Sequence, residues 1–229
     1  MGLKLGAAVS ILVLSLFGQT NNKPSEVEIT SEPSHHLVIQ NAYVRAFQVE
    51  VAPRSATLMH RHRHDYMLVT LGPAEVSNEV EGKAPVSLKL QDGETRFVPG
   101  NFAHIARNPS DAPFRNVTIE LLRDSKKVWE DDRGLHVLHG GTEDVLFVKD
   151  GVRVSEVELQ IAGVLPKHHH TGPELLVAVS DLLFRNDVVG KPASNLELKS
   201  GEVKWLAGGL THTVTNVGTT AAKFVTLEF

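Results

Sequence analysis

The segment GVLPKHHHTGPE carries three consecutive histidines and ends at Glu174. In a β-strand alternate side chains point to one face, so His168 and His170 would lie side by side. Glu174 has the same parity, and the short turn before it can return its carboxylate to that side. His212 lies farther along the chain, in a glycine-rich segment that can bring a strand back to the same place. Three imidazoles and a carboxylate suit Fe(II), Mn(II), Ni, Cu or Zn better than Ca or Mg.

A run of histidines is by itself typical of a solvated loop, so the metal hypothesis depends on whether the pattern recurs. It does recur: His60 and His62 lie 108 positions before His168 and His170. Chance does not hold one register over many positions, so the sequence predicts two copies of one unit. At the same offset, without insertion or deletion, Gly93 matches Gly201, His104 matches His212, and Asn108 matches Asn216.

The local pattern within each copy is that of β-strands. VRAFQVEV and VRVSEVELQI alternate apolar and polar residues, while YMLVTL and LLVAVS are continuous apolar runs typical of strands buried on both faces. Many short strands in about 90 residues predict a small antiparallel barrel or jelly roll, and an all-β protein. We place the copies at residues 36–122 and 144–229, joined by a charged linker at 123–143. Arg45 and Arg153 are expected on a solvated strand face.

The spacing of these residues resembles the two motifs of a cupin domain, G-x5-H-x-H-x(3,4)-E-x6-G and G-x5-P-x-G-x2-H-x3-N. In the second copy the resemblance assigns His168, His170, Glu174 and His212 as metal ligands, although the first motif's closing glycine is missing. In the first copy it assigns His60, His62 and His104. The resemblance implies a bicupin, with two tandem double-stranded β-helix barrels that bind a divalent transition metal, Fe(II) or Mn(II) being favoured.

The first copy departs from the motif at Tyr66, which stands where the carboxylate ligand belongs. Tyr66 is open to three interpretations: a weak fourth ligand, a hydrogen-bond donor in the pocket, or a packing residue. A phenol with an ordinary pKa near ~10 is a poor ligand at neutral pH compared with an ionised glutamate. We therefore expect the first copy to hold metal more weakly and the second to be the main centre.

Composition excludes several functional classes. The formal net charge of −4 argues against a nucleic-acid binder, and the absence of cysteine excludes disulfides, thiolate ligands and cysteine nucleophiles. The cupin resemblance implies quercetinase-like dioxygenases, decarboxylases, isomerases, lyases or non-catalytic binders. Our first hypothesis is an oxygenase-like enzyme acting on a small oxygenated organic substrate, with a homo-oligomer as a further expectation. The alternatives are a non-catalytic metal or small-ligand binder, and a metal-dependent isomerase, lyase or decarboxylase.

The first twenty residues indicate export. Lys4 precedes the apolar run LGAAVSILVLSLFG, which is followed by polar residues, as in a secretory signal peptide. The run is shorter than the ~20 residues that a membrane-spanning helix needs. A buried N-terminal helix or strand is the alternative. We predict a signal peptide at 1–20 and a periplasmic or secreted protein that is not in the membrane after the signal is removed.

Overall fold

The structure is a computed structural model that describes residues 25–123, 125, 127–130 and 132–229. The predicted signal peptide lies outside the described residues. Helical structure in the described part of the chain is limited to one 3-10 turn at Ile29–Ser31. Within those residues there is no helix long and apolar enough to cross a membrane.

The N-terminal half, residues 25–123, contains ten strands that form two five-stranded sheets. The strands are β1 (Val27–Glu28), β2 (His35–Gln40), β3 (Val44–Val51), β4 (His60–His62), β5 (Tyr66–Leu71), β6 (Ala74–Val80), β7 (Val86–Leu90), β8 (Thr95–Val98), β9 (Phe102–Arg107) and β10 (Phe114–Leu121). One sheet has the order β1-β4-β9-β6-β7 and the other β2-β3-β10-β5-β8. Apart from the parallel pair β1–β4, neighbouring strands are antiparallel, as in a jelly roll.

The C-terminal half, residues 132–229, contains eight strands in one continuous sheet. They are β11 (Gly134–Lys149), β12 (Val152–His170), β13 (Glu174–Ala178), β14 (Leu182–Val188), β15 (Ser194–Leu198), β16 (Val203–Leu206), β17 (Leu210–Asn216) and β18 (Ala222–Glu228). The sheet is continuous because the long strand β12 pairs first with β18 and then with β17. In the N-terminal half the equivalent segment is split into β3 and β4.

Strand registers repeat at the offset found in the sequence. His60 pairs with His104, and His168 pairs with His212. Tyr66 pairs with Glu120, and the residues 108 positions later, Glu174 and Glu228, pair in the same way. The repeat is therefore a repeat of strand pairing. The domain boundaries themselves stay a prediction, although strand β11 begins inside the expected linker and strands β1 and β2 begin before residue 36.

The continuous apolar strands are explained by burial on two sides. In β5, Met67 and Val69 join a core that also contains Leu175 and Val177 of β13, so this core lies between the two halves. Residues of the other parity, such as Leu68, face the interior of their own barrel. Since neither face meets water, both parities are apolar, as the sequence pattern predicted.

The expectation that Arg45 and Arg153 lie on a solvated face is wrong. Their parity in β3 and β12 is that of the residues facing the barrel interior, and each is paired with at least one carboxylate. The side chain of Arg45 is 21% exposed and lies 2.7 Å from the buried carboxylate of Glu120. Arg153 is 11% exposed and lies 3.0 Å from a carboxylate oxygen of Glu143.

Candidate metal centres

Strands β4 and β9 bring three histidines of the N-terminal half together. His60 and His62 alternate in β4, and His104 lies directly opposite His60 in β9. The Nε2 atom of His104 is 3.1 Å from Nε2 of His60 and 3.2 Å from Nε2 of His62. All three side chains are buried. We call these three residues the N-terminal centre.

The same arrangement recurs in the C-terminal half. His212 of β17 lies opposite His168 of β12, and its Nε2 atom is 3.0 Å from Nε2 of both His168 and His170. His170 and His212 are buried, and His168 is partly exposed. We call these three residues the C-terminal centre. The adjacent His169 is exposed and contacts Thr211 instead, because it has the opposite parity.

Hydrogen bonds at Nδ1 fix the tautomer of two histidines in each centre. Nδ1 of His60 lies 2.9 Å from the carbonyl oxygen of Leu58, and Nδ1 of His104 lies 2.6 Å from Oδ1 of Asn78. A carbonyl oxygen only accepts hydrogen bonds, so Nδ1 carries the proton and donates it. The Nε2 lone pair is then left for a metal, as metal-ligating histidines require.

The C-terminal centre repeats these hydrogen bonds at the same offset. Nδ1 of His168 lies 2.7 Å from the carbonyl oxygen of Pro166, and Nδ1 of His212 lies 2.7 Å from Oδ1 of Asn186. Asn78 and Asn186 were not predicted from the sequence. They are 108 positions apart, so a search for identical polar residues at the repeat offset would have found them.

The donor set fits a divalent transition metal. Nitrogen lone pairs 3.0–3.2 Å apart repel one another unless a cation lies between them. Burial, and then the neighbouring histidines, keep the rings in the neutral form that a metal needs. The pKa falls to about 4 for His60, about 3 for His104, about 3 for His170 and about 4 for His212. Burial and the adjacent histidines also lower the pKa of His62.

The two centres differ in the group that lies next to their three histidines, at the fourth ligand position of the motif. Oε2 of Glu174 is 3.4 Å from Nε2 of His170, so this carboxylate lies beside the C-terminal centre. Burial, and then the neighbouring Glu228 and Glu143, raise the pKa of Glu174 to about 8. Tyr66 takes the equivalent place in the N-terminal half and stacks on His62, with ring centroids 4.1 Å apart and planes at 19°.

Tyr66 is a neutral group beside the N-terminal centre. Burial, and then the charge of Glu120, raise the pKa of its phenol above the ordinary value. The hydroxyl therefore keeps its proton at neutral pH and can donate a hydrogen bond. Of the three interpretations left open by the sequence, the geometry favours a donor that lines the pocket over an anionic ligand.

A fourth histidine lies beside the N-terminal centre and was not predicted from the sequence. His35, in β2, is buried, and its ring centroid lies 4.7 Å from that of His60. Ligand atoms of His35, His60 and His62 lie within 4.8 Å of one another. His35 falls one residue before the boundary predicted for the first copy. The equivalent position, 108 residues later, is Glu143 and not a histidine. The repeat therefore did not indicate that His35 belongs to the site.

Many solved structures share this architecture, among them the following three. Oxalate decarboxylase from Bacillus subtilis superposes with a TM-score of 0.61 and 12% identity, over 82% of this chain and 68% of its own. Vicilin from tomato, Solanum lycopersicum, gives a TM-score of 0.63 and 12% identity, over 81% and 74%. AerE from Microcystis aeruginosa gives a TM-score of 0.58 and 10% identity, over 86% and 97%. All three are cupin-fold proteins. The chain has the cupin fold.

Identities of 10–12% establish the cupin fold and leave the activity open. No protein-family model matches the sequence, and no curated protein matches it either. The predicted all-β cupin fold is confirmed. Together with the two histidine clusters, it makes this chain a cupin-fold protein suited to binding metal.

Each half of the chain encloses a cavity at its histidines, and the two cavities differ in size. The cavity in the N-terminal half measures about 120 Å³ and is lined by all three histidines of the centre, together with His35 and Tyr66. The cavity in the C-terminal half measures about 30 Å³, and Phe184, Phe224 and other apolar residues fill the rest of that interior. One water molecule occupies roughly 10–15 Å³ of such a cavity. Of these two cavities, only the N-terminal one therefore has room for a small organic molecule beside a metal.

Proposed function

We propose that this cupin is an exported, metal-dependent enzyme that oxidises a small oxygenated organic acid with O2. The substrate binds in the N-terminal half. The observation that carries the proposal is the cavity of about 120 Å³, which opens directly onto three convergent imidazoles. The sequence pointed to the C-terminal centre as the main one, because of Glu174. The difference in cavity size favours the N-terminal centre as the site of chemistry instead.

The lining of the N-terminal cavity supports an anionic, oxygen-rich substrate. Arg96 reaches the cavity, and its side chain is 38% exposed, so it can meet a carboxylate arriving from solvent. Its Nε atom donates to Glu94 at 2.6 Å, and the substrate carboxylate would share this guanidinium with Glu94. Asn116 and Thr118 add polar groups to the wall. Such a mixed wall is typical of small-molecule sites.

The roles of the residues follow from their positions. The imidazoles would hold a divalent transition metal, which supplies Lewis-acid polarisation of substrate oxygens and, if redox-active, activation of O2. Tyr66 keeps its proton and would donate a hydrogen bond to a substrate oxygen that gains negative charge. The apolar side chains of Leu68, Val76 and Leu90 line the cavity and exclude bulk water. This exclusion strengthens each polar contact made inside the cavity.

The test is turnover of a panel of small hydroxy, keto and enol acids by the metal-loaded protein. We expect O2 uptake in proportion to substrate consumed, and its loss in His60→Ala and His104→Ala. A metal-loaded protein that binds these acids without turning any of them over would refute the enzyme and support the non-catalytic alternative. Arg96→Gln should raise KM for acids and leave KM for uncharged analogues unchanged.

Decarboxylation is the second candidate, and two observations favour it. The chain shares its fold with oxalate decarboxylase of Bacillus subtilis, which has Mn(II) centres. The protonated Tyr66 also offers a proton near any carbon that loses CO2. The two reactions separate cleanly in one experiment. Oxygenation consumes O2, whereas simple decarboxylation releases one CO2 per substrate, replaces it by a proton and proceeds without net O2 uptake.

Export rests on the pattern of the first twenty residues. We expect the mature N-terminus at about residues 19–24, measured by mass spectrometry of the protein from its native host. An intact Met1 on protein from the cytosolic fraction would refute export. Self-association stays a prediction, which light scattering of the purified protein would test.

A further inference from the structure

We propose that His35 is the fourth protein ligand of the N-terminal centre, and that Glu32 positions it. The first half would then hold its metal with four imidazoles, whereas the second half uses three imidazoles and Glu174. The proposal rests on the metal binding proposed above and specifies the ligands of that same site.

Strand pairing directs His35 into the barrel. His35 in β2 is the register partner of Val49 in β3, and partners in an antiparallel pair project to the same face. Val49 is buried in the interior core of the N-terminal half. Both residues line the cavity that holds the three other histidines. A ring nitrogen of His35 lies within 4.8 Å of ligand atoms of His60 and His62.

A buried carboxylate sets the orientation of the His35 ring. Nδ1 of His35 is 2.6 Å from Oε2 of Glu32, and the side chains of these two residues are 5% and 1% exposed. Glu32 is itself fixed by the backbone N–H groups of Ser34 at 2.9 Å and Leu58 at 3.1 Å. Nδ1 therefore donates to Glu32, and Nε2 is the nitrogen left to bind metal. A carboxylate behind a histidine is a common device for orienting a metal ligand.

The two halves carry different groups at the two equivalent positions beside their centres. Glu174 of the C-terminal half corresponds to Tyr66, and Glu143 corresponds to His35. The strand pairing at the second position is equivalent, because Glu143 pairs with Val157 as His35 pairs with Val49. Glu143 is instead paired with Arg153, at 3.0 Å. The fourth group thus comes from β13 in one half and from β2 in the other.

This ligand set changes the expected ranking of the two centres. With Tyr66 as the only candidate, the first copy was expected to hold metal more weakly. With His35 it has four protein ligands, as the second copy does, and we expect comparable occupancy. Four neutral imidazoles also leave the full charge of a divalent metal facing the cavity, whereas Glu174 cancels one unit of charge in the C-terminal half.

The experiment isolates the N-terminal centre in the full-length mature protein. The parent is the His168→Ala, His212→Ala double variant, loaded with Cu(II), so that metal at the second centre does not contribute. Electron spin echo envelope modulation counts the imidazoles bound to Cu(II), and we expect four in the parent. Adding His35→Ala should lower the count to three and weaken Cu(II) binding at least about tenfold, on the scale of effects at metal sites.

Two further variants make the result specific. His36→Ala is the matched control, because His36 is the exposed neighbour on the same strand; it should leave the imidazole count and the affinity unchanged. Glu32→Gln keeps the shape but removes the charge, and it should weaken binding by about 10–100-fold.

The outcomes separate this proposal from the one on which it rests. Three imidazoles in the parent, together with equal affinity in the His35→Ala and His36→Ala variants, would overturn the proposal and leave metal binding intact. The count in the parent decides the question even if the His35→Ala variant does not fold. A parent that binds no Cu(II), Mn(II) or Fe(II) would overturn both proposals.

Discussion

Metal binding at the C-terminal centre should release a proton from Glu174. Burial, with Glu228 and Glu143 nearby, raises the pKa of this carboxyl to about 8, so the metal-free protein holds a proton there at neutral pH. A carboxylate must be deprotonated to bind a metal. The perturbation that tests this is Glu174→Gln, which keeps the size of the side chain and removes the titrating group.

The size of the effect follows from the pKa. With a pKa of about 8, Glu174 is about 0.9 protonated at pH 7 and about 0.1 protonated at pH 9. Binding one metal should thus release about 0.9 proton from Glu174 at pH 7, and about 0.1 at pH 9. The Glu174 contribution to affinity should rise about tenfold per pH unit below pH 8 and level off above it.

Isothermal titration calorimetry in buffers of different ionisation enthalpy measures this proton release directly. The background is the His60→Ala, His104→Ala double variant, in which the C-terminal centre is the one retained. The difference in proton release between this parent and its Glu174→Gln derivative isolates the contribution of one carboxyl, because the protons released by other groups cancel. Equal proton release from the two proteins at pH 7 would refute the reasoning, and so would a Glu174→Gln variant that keeps the full pH dependence of affinity.

Three further predictions concern the groups that support the centres. Asn186→Leu removes the acceptor that orients His212 and should weaken metal binding at the C-terminal centre by about 10–100-fold in equilibrium dialysis, whereas the exposed Asn195→Leu should not. Asn216→Ala removes an amide that donates to three backbone carbonyls and should cost about 1–3 kcal/mol in urea unfolding; an unchanged midpoint would contradict this. The metal-free protein should lose stability as the pH falls from about 6.5 toward 4, because the unfolded chain protonates histidines that stay neutral in the fold. Carboxyls with a raised pKa, such as Glu174, instead stabilise the metal-free fold as the pH falls from about 8 to about 4.5. A thermal midpoint that rises on acidification would contradict the prediction and would mean that the carboxyls outweigh the histidines.

The sequence alone predicted the features that depend on local spacing. Two residues with one residue between them share a face of a strand, so the pairs at 60 and 62 and at 168 and 170 were expected to converge. The offset of 108 positions relates His104 to His212, so both were predicted to join these pairs as ligands. Continuous apolar strands predicted burial on both sides, and the core between the halves explains it. These inferences needed only periodicity and internal repetition.

The tertiary structure decided what depends on strands that are distant in sequence. His35 reaches the N-terminal centre through the pairing of β2 with β3, which no spacing in the sequence specifies. Arg45 was expected to face solvent from its place in the alternating pattern of its strand. In the structure its side of the strand faces the barrel interior, and Glu120 lies beside it. Cavity size also depends on how side chains from many strands fill one interior, and it differs between the halves, at about 120 and 30 Å³. Local patterns fix which way a side chain points along its own strand, whereas the group it meets depends on long-range pairing. For that reason the sequence indicated two histidine centres, and the structure alone showed which one has a fourth histidine beside it and the larger cavity.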